Sequence, residues 1–226
     1  MVQARAKRPV GRPRGEQVEN AARRRRQLIE AAIDSIVEVG FSATTLATVS
    51  NAAGLSQGVA VFYFKRKENL LIEALRYHYD EYDAVWRSAL AAAGPEPLDR
   101  LMALVFADLD PSLCTPRNLT LWNSFWGEAA ARPQYRAICD NHDRPHKDEL
   151  IRLCDETKSL IVGEPWTPKV VADALDIMTD GMWTRMHITP SHMSLDEGRR
   201  LVARFLTAVF PSEAARIRAR AESLSR

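Results

Sequence analysis

The sequence predicts an all-α protein: a three-helix helix-turn-helix DNA-binding domain at the N-terminal end, followed by a larger helical body. Three observations carry that prediction. Apolar residues recur every three to four positions through most of the 226 residues. Pro116, Pro133 and Pro168 each open such a run, at a point suited to the first turn of a helix. No train of alternating strands punctuated by turns occurs.

The elements follow in order. Residues 1–20 hold several Arg and Lys, two Pro, two Gly and no large apolar cluster, so 1–22 reads as a flexible basic arm. Within it, KRPVGRPRG resembles the AT-hook, which implies that Arg12 and Arg14 enter the minor groove of A·T-rich DNA. A first helix is expected from about Arg23 to Val39, with Ile29, Ala32, Ile33, Ile36 and Val37 on one face and Gly40 as its stop. A second starts at Thr44 or Thr45, places Leu46, Val49 and Ala53 in a core, and ends where Gly54 takes the left-handed conformation. A third begins at Gln57, capped by Ser56 and anchored by Phe64.

Local propensity disagrees over 58–64, where GVAVFYF favours a strand. The run is short and lies between two helix signals, so a helix is expected. A fourth helix, Lys67 to Ala92, buries Leu71, Leu75, Tyr79, Tyr82 and Trp86, and GPEP at 94–97 breaks the chain. Further helices are expected near 97–109, 116–131, 133–160, 167–188 and 194–209, with a kink or break at Pro145. The domains are then 23–66 for the head, 67–212 for a ligand-binding and dimerisation body, and 213–226 for a polar tail with no assigned role.

Charge separates the two ends. Residues 1–26 hold nine Lys or Arg and two Glu, +7, so a net charge of +2 leaves −5 for the rest. A basic end on a mildly acidic body suits a nucleic-acid partner. No run of eighteen apolar residues suggests a membrane span, and the basic N-terminus lacks the apolar stretch of a secretory signal, so a cytoplasmic protein is expected. Cys114, Cys139 and Cys154, odd in number and far apart, are expected to stay reduced.

Thr45, Leu46, Val49, Ala53, Gly54, Leu55, Ser56, Gly58, Tyr63, Phe64, Lys67 and Leu70 stand at the spacing of the DNA-binding domain of TetR-type repressors, which the stretch resembles. Ser50, Ala60 and Val61 depart from that pattern. The third helix should lie in the major groove of a double-stranded operator. There Gln57 would meet adenine, Ser56 base or phosphate, and Val59 a thymine methyl, while Gly58 lets backbone approach. Thr44, Tyr63, Lys67 and Arg23, Arg24, Arg25 and Arg26 are expected on phosphates. Thr45 sits at the helix start facing DNA, and Phe62 is open between core and DNA. Repressors of this kind act as homodimers on near-palindromic sites. The last two long helices, with Leu195, Leu201, Val202, Phe205, Leu206, Val209 and Phe210, are the expected interface.

The body carries a second pattern, LWNSFWGEAAARPQYR at 121–136 and TDGMWTR at 179–185. Trp122, Phe125 and Trp126 share one helix face. With Trp183 and Asp180 from a later helix they could form an aromatic cage for a quaternary ammonium ion, or could instead be core or dimer interface. With Tyr135, Arg136, Gly181 and Arg185 the layout resembles a choline-responsive branch of the same family. That resemblance implies repression of choline-to-glycine-betaine genes, relieved by choline or betaine aldehyde. It places ligand contacts on Trp122, Phe125, Trp126, Tyr135, Asp180 and Trp183, with a tilt of the fourth helix as the response.

Cys139, His142, Asp143 and His146 carry metal-ligand atoms, but Pro145 disturbs their helix and no second cluster completes a set, so no metal is expected. No G-x-S-x-G, G-x-x-x-x-G-K-[ST] or dinucleotide motif occurs, so neither a cofactor nor an enzymatic activity is expected.

Overall fold

The computed structural model describes residues 14–224, and these form ten α-helices and no strand. The helices are α1 (Arg14–Ala43), α2 (Leu46–Ala52), α3 (Gln57–Phe64), α4 (Lys67–Ala92), α5 (Pro97–Ala107), α6 (Pro116–Ala129), α7 (Pro133–Glu156), α8 (Pro168–Ile188), α9 (Leu195–Val209) and α10 (Ala214–Leu224). The described residues divide into two compact units, with the boundary between Ala74 and Leu75.

The head is built on α1. Leu28, Ile29, Ala32, Ile33 and Ile36 form its buried stripe. Val49 and Ser50 of α2, Ala60 and Phe64 of α3, and Leu70, Leu71 and Ala74 from the start of α4 are buried in the same unit, where α2 packs on both α1 and α3. Leu46, expected in the core, is only half-buried, because it stands in the first turn of α2 at the edge of the unit. The helical run of α1 is interrupted at Gly40 (φ 81°), and Gly54 (φ 64°) makes the turn between α2 and α3. Thr45 caps α2 through a capping box with Thr48. Ser50 satisfies its buried hydroxyl on the Leu46 carbonyl at 2.7 Å, and Gln27 donates to the Ala53 carbonyl at 2.6 Å, tying α1 to the end of α2.

One expectation at the N-terminal end is corrected. The chain is helical from Arg14, so 14–22 is not a flexible arm. Glu16, Gln17, Glu19, Ala21 and Ala22 are good helix formers and extend α1 without needing a core, and Val18 is exposed accordingly. Arg12 and the side chain of Arg14 lie outside what the structure describes.

In the body, α5 is a central helix, buried without interruption from Leu101 to Ala107. It packs on α7, α7 and α6 pack on α8, and α9 joins α8. Pro116, Pro133 and Pro168 do open their helices. Pro145 does not break α7. Tyr135, Ile138 and Cys139 before it and His146, Leu150, Leu153 and Cys154 after it are all buried on one continuous face. That burial outweighs one missing hydrogen bond. The expected polar tail is also corrected: α10 packs on α9 through Ile217 and Ala221, and Arg216 pairs with Asp99. Its small apolar stripe is diluted by charge, which hid it from periodicity. The three cysteines are free, and burial pushes the thiols of Cys114 and Cys154 up to about 12.

Glycine separates two kinds of position. Gly54→Ala should lower the stability of the head by about 1 kcal/mol, because a Cβ is strained at positive φ. Gly127→Ala, on an open face of α6 with nothing within 4 Å of the new Cβ, should instead raise stability by roughly 0.5–1 kcal/mol. Urea unfolding of both variants checks the contrast.

Candidate functional site

The head presents α3 outward. Ser56, Gln57, Gly58, Val61 and Phe62 are exposed, Val59 and Tyr63 half-buried, and Ala60 and Phe64 buried. This is the helix expected against the strand propensity. Phe64 and Ala60 hold it down, and its other face is open. Ser56 occupies the N-cap position but makes no side-chain capping bond, so its hydroxyl remains available. Phe62 is resolved as a surface residue, 68% exposed, with the Lys65 ammonium 5.4 Å from its ring centre. Lys65 itself ends α3 in a left-handed conformation (φ 64°) that only tertiary constraint sustains in a lysine.

Other candidates are placed differently. Thr44 is fully buried: its hydroxyl meets Ser35 Oγ at 3.1 Å and donates to the Gly40 carbonyl at 2.9 Å. It closes the turn after α1 and is inaccessible to a phosphate. The Lys67 ammonium donates to the carbonyls of Phe41 (2.7 Å) and Ser42 (3.0 Å), capping the end of α1. Arg23, Arg24, Arg25 and Arg26 are exposed, but Arg25 pairs with Glu73 and lies over the Phe64 ring. Thr45 is exposed and Tyr63 half-exposed. Val61 and Lys65 were not among the candidates, and their outward placement follows from the burial of Ala60 and Phe64.

The body contains a cavity of about 230 Å³ between α4, α6, α7, α8 and the end of α5. Its aromatic walls are Trp122, Trp126 and Trp183 with Tyr79 and Tyr82. The three indoles are stacked in pairs, with ring centres 5.7–6.2 Å apart. Tyr82 stands edge-on to Trp183 at 5.8 Å. Trp183 is fixed by donating its indole N–H to the Asp108 carbonyl at 2.7 Å. Of the six expected ligand residues, Trp122, Trp126, Asp180 and Trp183 line the cavity. Phe125 and Tyr135 instead pack on each other at 5.8 Å in the core. Helical spacing put Phe125 on the same face as the tryptophans but one step round, toward α7.

Of the acidic floor, sequence reading assigned only Asp180 to the ligand site. Asp108, Asp143, Asp176 and Asp180 converge on the cavity, with His146, Lys147 and Thr179. Two of the carboxylates are matched internally. Asp108 accepts from the Tyr82 hydroxyl at 2.8 Å and faces His146 Nε2 at 3.4 Å. Burial acts to lower the His146 pKa, but Asp108, Asp176 and Asp143 outweigh it and leave it raised. Asp176 accepts from the Lys147 ammonium at 2.8 Å. Asp143 and Asp180, at the rim, have no ion-pair partner among the described residues. Desolvation on their inner sides, then repulsion from neighbouring carboxylates, pushes Asp180 up to about 7. Desolvation likewise pushes Asp143 up to about 6. The one legible signal was the acid–aromatic spacing of Asp176, Thr179, Asp180 and Trp183 on α8. The Cys139, His142, Asp143 and His146 set is dispersed: His142 stacks on Tyr79 at 4.6 Å, and no group of three or more metal-ligating side chains forms among the described residues.

Chemically, stacked indoles present electron-rich faces, and two carboxylates lack a counter-charge. Such a cavity suits a compact organic cation. It is smaller than the roughly 300–1,000 Å³ of pockets for drug-sized ligands.

A helical head with one outward helix, and a helical body around an aromatic cavity, are the layout of a helix-turn-helix transcriptional regulator. Residues 28–74 match the model of the bacterial regulatory proteins of the tetR family, and residues 97–211 that of the BetI-type transcriptional repressor C-terminal domain. The chain belongs to the TetR family, with a BetI-type C-terminal domain. It is 30% identical to the HTH-type transcriptional regulator BetI of Stenotrophomonas maltophilia, over 79% of this chain and 88% of that one. It is 32% identical to BetI of Burkholderia thailandensis, over 72% and 80%. Among solved structures, a transcriptional regulator from Pseudomonas aeruginosa shares the fold at a TM-score of 0.74 and 20% identity, over 87% of this chain and 94% of that one. One from Saccharomonospora viridis, solved in complex with choline, does so at 0.73 and 20%, over 82% and 96%. The protein is thus a TetR-type transcriptional repressor, not an enzyme. Repressors of this family bind operator DNA and small-molecule ligands as dimers. No described helix is long and apolar enough to cross a membrane.

The sign of the pH response follows from the rim carboxyls. Their folded pKa values lie above the unfolded value near 4, so the stability linked to them is present at low pH and is lost as pH rises to about 7. A bound cation opposes that loss by favouring the ionised form. Thermal stabilisation by tetramethylammonium should therefore grow between about pH 5.5 and 8, and Asp180→Asn should flatten the rise. An unchanged profile in Asp180→Asn would remove this carboxylate from ion binding.

Proposed function

We propose that this repressor senses a compact quaternary ammonium ion, choline or betaine aldehyde, and controls genes that convert choline to glycine betaine. The observation that carries the reading is the cavity itself, where three stacked tryptophans stand beside two carboxylates without counter-ions. The BetI name of the relatives and the choline held by the Saccharomonospora viridis regulator support the same ligand class. In this reading Trp122, Trp126 and Trp183 surround the cation, and Asp180 and Asp143 supply its counter-charge. Ligand must bind more tightly to the form that releases DNA, since equal affinity for both forms would shift nothing.

On DNA, Gln57 and Val59 read bases in the major groove, Ser56 and Tyr63 meet phosphate, and Arg23, Arg24 and Arg26 add backbone attraction. Arg12 and Arg14 extend this into the minor groove. The active form is a homodimer. The exposed apolar residues Val170, Ile177 and Ile188 of α8 and Leu201 of α9 support an interface on these two helices. A TetR-type repressor for another hydrophobic cation is the alternative, and it differs in ligand only.

Fluorescence anisotropy with DNA from upstream of the gene, at fixed salt, tests the proposal. Choline should weaken binding. Trp126→Ala should raise the choline concentration required by about tenfold while leaving DNA affinity intact, as expected for loss of one cation–π wall. Choline-insensitive binding would keep the repressor and remove the ligand. Separately, Gln57→Ala should relax preference at one base pair, and equal losses on cognate and random DNA would remove its base contact.

A further inference from the structure

A second cavity, of about 580 Å³, lies in the body between α9 and α10 and has the opposite charge. Four arginines line it: Arg199, Arg200 and Arg204 from α9, and Arg218 from α10, with Glu222 the single carboxylate in its wall. Ala203 and Ala221 form a small apolar floor.

Arg199 is the unusual member. It is 5% exposed, so its charge is held away from water. Two of its nitrogens donate to main-chain carbonyls, those of Leu224 at 2.6 Å and Leu109 at 2.9 Å. These are neutral acceptors. Its carboxylate neighbour is Asp196 at 3.5 Å, itself half-exposed. Its Nε has no hydrogen-bond partner, and neither has the buried hydroxyl of Thr207 in the same wall. A buried guanidinium whose carboxylate neighbour is half-exposed, beside a hydroxyl with no protein partner, is a costly arrangement. Arg204 and Arg218 above it are exposed and have no ion-pair partner among the described residues.

We propose that this cavity is a second ligand site, separate from the aromatic cage, that takes a small amphipathic oxyanion. The anionic group, a carboxylate or a phosphate monoester, would sit among the arginine side chains and add a counter-charge to that of the half-exposed Asp196. A short apolar body would cover Ala203 and Ala221. Guanidinium groups match both oxyanions through paired N–H donors, and the alkyl stems of the arginines add apolar wall. A cation suited to the cage is repelled here.

Thermal shift and calorimetry on the full-length protein test this with octanoate, octyl phosphate, octanol and inorganic phosphate at constant ionic strength. One or both amphipathic anions should stabilise the protein, octanol should not, and the gain should add to that from saturating tetramethylammonium. Arg204→Glu/Arg218→Glu should weaken the apparent affinity by at least about tenfold, since charge-assisted contacts of this kind are each worth about that factor. Sedimentation of wild type and variant then checks the assembly. Equal stabilisation by octanol, or undiminished anion binding in the double variant, overturns the proposal. So does a double variant that dissociates while the anions leave the wild type unaffected, which would make the cavity a contact between subunits.

Discussion

Asp108, at the end of α5, must be held almost entirely out of water, and the architecture of the body follows from how that burial is satisfied. Its carboxylate takes the Tyr82 hydroxyl from α4 and faces His146 from α7, while its carbonyl takes the Trp183 indole N–H from α8. The next carbonyl, that of Leu109, takes Arg199 from α9. One short turn thus satisfies polar groups from four helices around it. A buried carboxylate that loses a partner is strongly penalised, so these bonds fix where each helix can lie. The aromatic cage is a consequence. Trp183 presents its face to the cavity because its N–H is pinned, and Tyr82 stands edge-on because its hydroxyl is.

The head and the body were legible to different degrees for a physical reason. The residues that define the head lie close together in sequence, so Thr45, Gly54, Gln57 and Phe64 marked its helices directly. Even there, Thr44 and Lys67 defeated the reading. Each can serve a phosphate or a helix end equally well, and only the fold shows that Gly40, Phe41 and Ser42 claim them. In the body, Pro116, Pro133 and Pro168 announced helix starts because the first turn tolerates them at no cost. Pro145 shows the limit of that rule: a helix buried on both sides of a proline can run through it. Trp122, Trp126 and Trp183 were visible through spacing within two helices. Asp108 and Asp143 were not, because nothing local distinguishes a carboxylate that meets α8 from one that meets water. Phe125 and Tyr135 show the same ambiguity in reverse.

The outward face of the head sets a further constraint. Gln57 and Ser56 are polar, but Val61 and Phe62 are not, and both are exposed. If α3 reads DNA as proposed, a face with so few hydrogen-bonding groups has little capacity to read base edges directly, and groove shape and backbone contacts would carry more of the selection. The strained Lys65 belongs to the same economy. A left-handed lysine costs stability, yet it turns the chain sharply enough to begin α4 while setting a positive charge over the Phe62 ring.

In the cage, the rim carboxyls Asp143 and Asp180 have no ion-pair partner among the described residues, and that bears directly on the proposed cation. Desolvation first, and then repulsion from neighbouring carboxylates, raises Asp143 to about 6 and Asp180 to about 7, so near neutral pH Asp180 still holds a proton part of the time while Asp143 is mostly ionised. In the proposed reading, a cation entering between the indoles would displace the proton that Asp180 retains, and its affinity would be tied to the proton concentration. His146 and Lys147 limit this exchange to the rim, because they already neutralise the inner carboxylates. The pairing of Asp108 with His146 and of Asp176 with Lys147 thus confines the unpaired negative charge of the cage to Asp143 and Asp180, the opposite sign to that of the proposed ligand.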